Sequence, residues 1–78
     1  MTPETAIASL LDSRAPGATI CPSEAARLLA GDGGDWRARM GDVHDAVAGM
    51  SDKREVALSW KGEAKASPDG PYRIGRPV

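Results

Sequence analysis

Residues 20–50 read ICPSEAARLLAGDGGDWRARMGDVHDAVAGM, and this stretch decides the fold. It divides into two amphipathic segments on either side of a glycine turn. Pro22 suits a first helical position, because its ring fixes φ near the helical value and its missing N–H would go unpaired there anyway. Glu24 can reach back to unpaired amides and complements the positive end of the helix dipole. Ala25, Leu28 and Leu29 then share one face at helical spacing, while Arg27 leans to solvent. Gly31-Asp32-Gly33-Gly34 ends the segment, with Gly31 as a left-handed cap, and Asp35 can cap the next helix. Trp36, Met40, Val43, Val47 and Met50 recur at intervals of four, three, four and three. That spacing predicts a continuous apolar stripe over about four turns, and a stripe of this kind is core.

On the amino-terminal side, Thr2-Pro3-Glu4 opens another helix, with Thr2 as its cap. Ile7, Leu10 and Leu11 form its apolar stripe to about Ser13, and Ala15-Pro16-Gly17 breaks it. Thr19-Ile20, between that break and Pro22, predicts a brief strand that pairs with a hairpin edge. On the carboxy-terminal side, Arg54 to Lys61 alternates as a half-buried strand, with Val56, Leu58 and Trp60 facing inward. Gly62 to Gly70 is a polar wing that ends in the turn Ser67-Pro68-Asp69-Gly70. Tyr72 and Ile74 alternate with Arg73 and Gly75 as the return strand, followed by a loose tail at Arg76-Pro77-Val78. The expected fold is α+β, a winged helix-turn-helix with three helices and a C-terminal β-hairpin wing. It forms a single domain over 1–78, with its core at about 3–75.

The chain has 78 residues, close to the lower limit for a domain without disulfides or metal. One cysteine excludes an internal disulfide and a cysteine zinc site, and suits a reducing compartment. The opening residues lack a basic-then-apolar leader, and no apolar run approaches the ~18 residues of a membrane span. A cytoplasmic location is expected. The net charge of −1 is unevenly placed. Residues 1–52 carry four basic and eight acidic side chains, whereas residues 53–78 carry six basic and three acidic, so the hairpin is the basic end.

Three kinds of function are weighed against these residues. With the stripe from Trp36 to Met50 turned inward, the same helix presents Gly41, Asp42 and Asp45 outward. A small, glycine-rich face with acidic spots lets another backbone approach, so a non-catalytic protein-interaction or dimerisation module is the leading expectation. The alternative is a nucleic-acid-binding module that contacts phosphates through the basic wing. Lys61, Lys65 and Arg73 would share an outward register there, joined by Arg37 from the flank of the helix. Asp42 and Asp45 oppose phosphate on the helix face itself. Asn and Gln, the adenine readers, are absent from the chain, so little sequence preference is expected. An enzyme is not expected. Cys21 stands at a helix start, but the only histidine, His44, lies on another helix with no residue to orient it. Cys21 is expected as a packed structural thiol. No metal set, cofactor site or small-molecule site is visible, and Gly31-Asp32-Gly33-Gly34 is no phosphate loop, since Trp36 stands at the third glycine position.

The segments ICPSEAARLL, WRARM and GPYRI together resemble a group of short bacterial proteins classed as a domain of unknown function. The likeness spans about residues 5–76. It rests most on Ile20-Cys21-Pro22-Ser23-Glu24, the spacing of Trp36-Arg37 and Met40, and Gly70-Pro71. The resemblance implies a winged-helix fold and transfers no catalytic or binding residue. Members of the group it resembles often carry arginine where this chain has His44 and Asp45, and their wing tends to be somewhat longer than Gly62–Gly70.

Overall fold

The computed structural model describes residues 1–77. Helix α1 spans Pro3–Asp12, strand β1 Thr19–Ile20 and helix α2 Pro22–Ala30. A single 3₁₀ turn at Arg37–Arg39 leads into helix α3, Met40–Asp52. Strands β2 (Ala57–Trp60), β3 (Glu63–Lys65) and β4 (Arg73–Gly75) complete the chain. The four strands form one antiparallel sheet in the order β1-β4-β2-β3. The fold is α+β, as expected.

The helix starts follow from capping. The Thr5 N–H donates to the Thr2 side chain at 3.1 Å, which secures α1. At α2, Pro22 is the first helical residue, and the Cys21 N–H donates to Glu24 Oε2 at 2.7 Å. Glu24 also receives an Arg14 guanidinium at 2.8 Å, which ties α2 to the chain leaving α1. The Cys21 amide, opposed by partial burial and helped by Arg14, holds the Glu24 carboxyl below the usual carboxylate range. Gly31 closes α2 with a φ of 77°, which a side chain would resist. Gly34 is required for a different reason: a Cβ there would run into the Ala30 carbonyl.

One core joins the layers. Ala6, Ile7 and Leu11 of α1, Ala25 and Ala26 of α2, and Val43, Ala46, Val47 and Met50 of α3 meet Ile20, Val56, Leu58, Tyr72 and Ile74. Register explains the sheet's contribution. Leu58 stands opposite Ile74, and Ile74 opposite Ile20, so these three line one face. Ala57, Ser59, Gly75 and Thr19 occupy the other face, where only small side chains border Gly75.

Several expectations need correction. The stripe from Trp36 to Met50 does not lie on one helix. Trp36 and Met40 are half-buried at the edge of the core, and the α-helix begins only at Met40. Arg27 and Arg37 both stack on the Trp36 indole, and that local arrangement goes with the 3₁₀ turn. In α2 the core face is Ala25 and Ala26, while Leu28 is 40% exposed. The wing is not a plain loop. Lys61 and Gly62, with φ of 52° and 82°, make a two-residue turn, and β3 returns beside β2. Positive φ at both positions is the hairpin geometry that matches strand twist. Trp60 was expected inside. It lies on the inner side of β2 but at the last position of that strand, and stays 38% exposed. Arg76, placed in a loose tail by its sequence, donates to the Leu11 carbonyl and to Asp12 at the end of α1. Val78 of that expected tail lies outside the described residues.

Candidate functional site

The projection of Trp60 past the core opens a cleft of about 400 Å³. Four segments frame it. Cys21, Pro22 and Ser23 come from the start of α2, Met40 and His44 from α3, Trp60 from β2, and Gly70-Pro71-Tyr72-Arg73 from the return into β4. Its walls are mainly apolar. The polar atoms are few and mostly satisfied within the fold. Cys21 Sγ and Ser23 Oγ lie 3.0 Å apart, and His44 Nδ1 shares a hydrogen bond of 2.6 Å with the Tyr72 hydroxyl. The Tyr72 ring is buried and meets the imidazole edge-on at 5.6 Å. Burial pushes the Tyr72 hydroxyl up to about 12 from its ordinary 10.0. Cys21 is half-buried and free, lining this cleft rather than packed beneath β1.

The residues named for phosphate contact do not form one surface. Lys65 pairs with Leu58, and Arg73 pairs with Ser59, so the two side chains belong to opposite faces of the sheet. The shared outward register expected for them is therefore absent. Lys65 donates to the carbonyls of Asp69 and Pro71 and so closes its own loop. Arg73 donates through Nε to the Thr19 hydroxyl at 2.7 Å and through a terminal nitrogen to the Thr19 carbonyl at 3.1 Å. Lys61 is exposed in the hairpin turn, and Arg37 stacks on Trp36 at 4.4 Å.

Gly41, Asp42 and Asp45 are all exposed on α3, as their helical phase requires. Asp42 and Asp45 border a shallow hollow with Pro3 and Glu4 of α1, which makes that side of the domain acidic. Among the described residues, no group of three or more histidines, cysteines or carboxylates is placed to hold a metal ion. Among them, too, no helix is long and apolar enough to cross a membrane.

Sequence reasoning missed the cleft. Its one signal was an aromatic residue, Trp60, at the last position of an alternating strand, directly before a glycine turn. Alternation gives the face on which such a residue lies, but not whether anything covers it.

These features define a small α+β domain with one core, an acidic helical side and an apolar cleft beside an exposed tryptophan. The chain belongs to a family described as a protein of unknown function (DUF3253), whose model matches residues 2–77. No match to the chain was found among curated proteins.

Proposed function

We propose that this domain is a non-catalytic protein-interaction module that takes an apolar side chain of its partner into the cleft beside Trp60. The observation that carries this reading is the 38% exposure of Trp60 at the mouth of a mainly apolar cleft. Large aromatic side chains that combine apolar area with few rotamers provide most of the energy at protein interfaces. Solvated carboxylates on a rim provide little, so the outward face of α3 at Gly41, Asp42 and Asp45 is the secondary surface in this reading. Read as a winged helix, this α+β fold suits such docking, since fold alone does not commit it to nucleic acid. A cytoplasmic location, in keeping with the lone free thiol, belongs to the same reading.

Site-specific photocrosslinking tests it. A photoreactive amino acid at position 60, introduced in the native cells, should give a discrete crosslinked product containing this chain. A Met40→Glu change, which puts a charge into the cleft, should abolish that product. The same products from a photoreactive group at position 60 and at exposed Asp69 would refute docking at the cleft.

A further inference from the structure

Four of the ten basic side chains have their donors engaged within the fold. Arg14 and Arg76 are in ion pairs, Arg73 is bound to Thr19, and Lys65 to loop carbonyls. Arg27 and Arg37 are held in another way. Their guanidinium carbons stand 4.5 and 4.4 Å from the centre of the Trp36 ring. Arg27 comes from α2 and Arg37 from the 3₁₀ turn, so two separate segments deliver positive charge to one indole. Stacking holds a guanidinium by its flat side and leaves the N–H edges free. Among the described residues, neither side chain has a carboxylate partner or a hydrogen-bond acceptor. Arg39, exposed two residues further on, is equally unpaired at the amino end of α3.

We infer that Arg27 and Arg37, fixed on Trp36, form a seat for phosphate groups, foremost those of a nucleic-acid strand. The inference is independent of docking at the Trp60 cleft. A guanidinium fork matches two phosphate oxygens at once, and a fork already immobilised loses less freedom on binding than a free side chain. The guanidiniums offer their edges to phosphate oxygens, so the seat reads phosphate and gives little sequence preference. Arg39 adds a third positive charge close by, exposed at the amino end of α3. Asp32 and Asp35 in the intervening turn oppose it, and Asp35 accepts the Ala38 N–H at 3.4 Å. The positive centre for nucleic acid is thus moved from the wing to the helix turn.

The test uses a Trp60→Phe variant, which leaves Trp36 as the sole tryptophan. Its fluorescence and the Nε resonances of Arg27 and Arg37 are followed in titrations with a mixed-sequence single strand, the matching duplex and, separately, pyrophosphate. At ~50 mM salt the strand should shift the Trp36 emission and both arginine resonances. Its affinity should fall with salt at a log–log slope of roughly −1.4 if two phosphates are neutralised. Arg27→Gln combined with Arg37→Gln should weaken binding by about tenfold or more, a change of 1.4 kcal/mol. Lys61→Gln should leave it nearly unchanged. Saturation by pyrophosphate without strand binding would keep the phosphate seat and assign it to a free anion. If neither probe moves the arginine resonances, or if strand binding survives the double change, the inference is overturned. The resonances of the unaltered arginines decide the matter even if the double variant folds poorly.

Discussion

The Nδ1 of His44 and the hydroxyl of Tyr72 lie 2.6 Å apart, joining α3 to the chain that enters β4 at the Trp60 cleft. Tyr72 is the only tyrosine, so its ionisation can be followed without overlap. Its folded pKa, about 12, lies above the ordinary 10.0. A group raised in this way contributes stability below its unfolded pKa and loses it as pH rises through the folded value. Absorbance at ~295 nm should therefore show late ionisation, and stability should fall between about pH 10 and pH 12. Two pK units correspond to ~2–3 kcal/mol over that window. Tyr72→Phe should remove this alkaline loss, at a cost of ~0.5–1.5 kcal/mol at neutral pH from the missing hydrogen bond. A tyrosine that titrates at its ordinary value in the folded protein contradicts the burial.

The box that starts α2 should limit stability in acid. Glu24 is lowered chiefly by the Cys21 amide. Its contribution is present above the unfolded carboxylate pKa and declines as pH falls through the folded one. Glu24→Gln should cost ~0.5–2 kcal/mol at pH 7, as for other lost caps, and should flatten the acid limb of the stability curve. Chemical denaturation of both proteins across pH 3–7 measures it.

Gly34→Ala should destabilise the domain by about 1–3 kcal/mol, because the new methyl group meets the Ala30 backbone carbonyl rather than a yielding side chain. Gly41→Ala provides the contrast. A Cβ at that position has open space, and alanine favours the helix, so a gain of ~0.5–1 kcal/mol is expected. Thermal melts of the pair should separate in opposite directions from the parent.

Among the described residues, two non-glycine residues sit at positive φ, Arg54 at 60° and Lys61 at 52°. Arg54 follows α3, where the Glu55 N–H donates to the Met50 carbonyl at 2.8 Å and closes the helix end. Arg54→Gly and Lys61→Asn each put a more tolerant residue into that conformation, and each should raise stability by ~0.3–1 kcal/mol. A fall in melting temperature for both would show that these side chains contribute contacts beyond their backbone strain.

Much of the fold is legible from local signals in the sequence. Pro22 and Glu24 announced α2, and the alternation of Tyr72 and Ile74 with Arg73 announced β4 and its inner face. Thr19-Ile20 was legible as a strand because a break and a proline bound it on both sides. The hairpin turn was missed, since Lys61-Gly62 lacks the Asn-Gly signature and Glu63-Ala64-Lys65 is too short and polar to read as a strand. The split between the 3₁₀ turn and α3 was hidden because both keep nearly the same apolar phase. The site was least legible of all. The cleft gathers residues from four segments, and whether Lys65 and Arg73 are free depends on carbonyls and a hydroxyl that only the fold brings near.

The strand order carries a consequence for cooperativity. Strand β1 has one neighbour in the sheet, β4, and the Arg73 side chain that fastens them reaches back 54 residues to Thr19. Until residues 73–75 arrive, Thr19 and Ile20 have no strand to join, and the inner residues Ile20 and Leu58 lack the Ile74 that stands between them. Contacts of such long separation raise the chain-closure entropy that must be met before the sheet forms, and so slow folding. Removing β4 would therefore release β1 from the sheet as well.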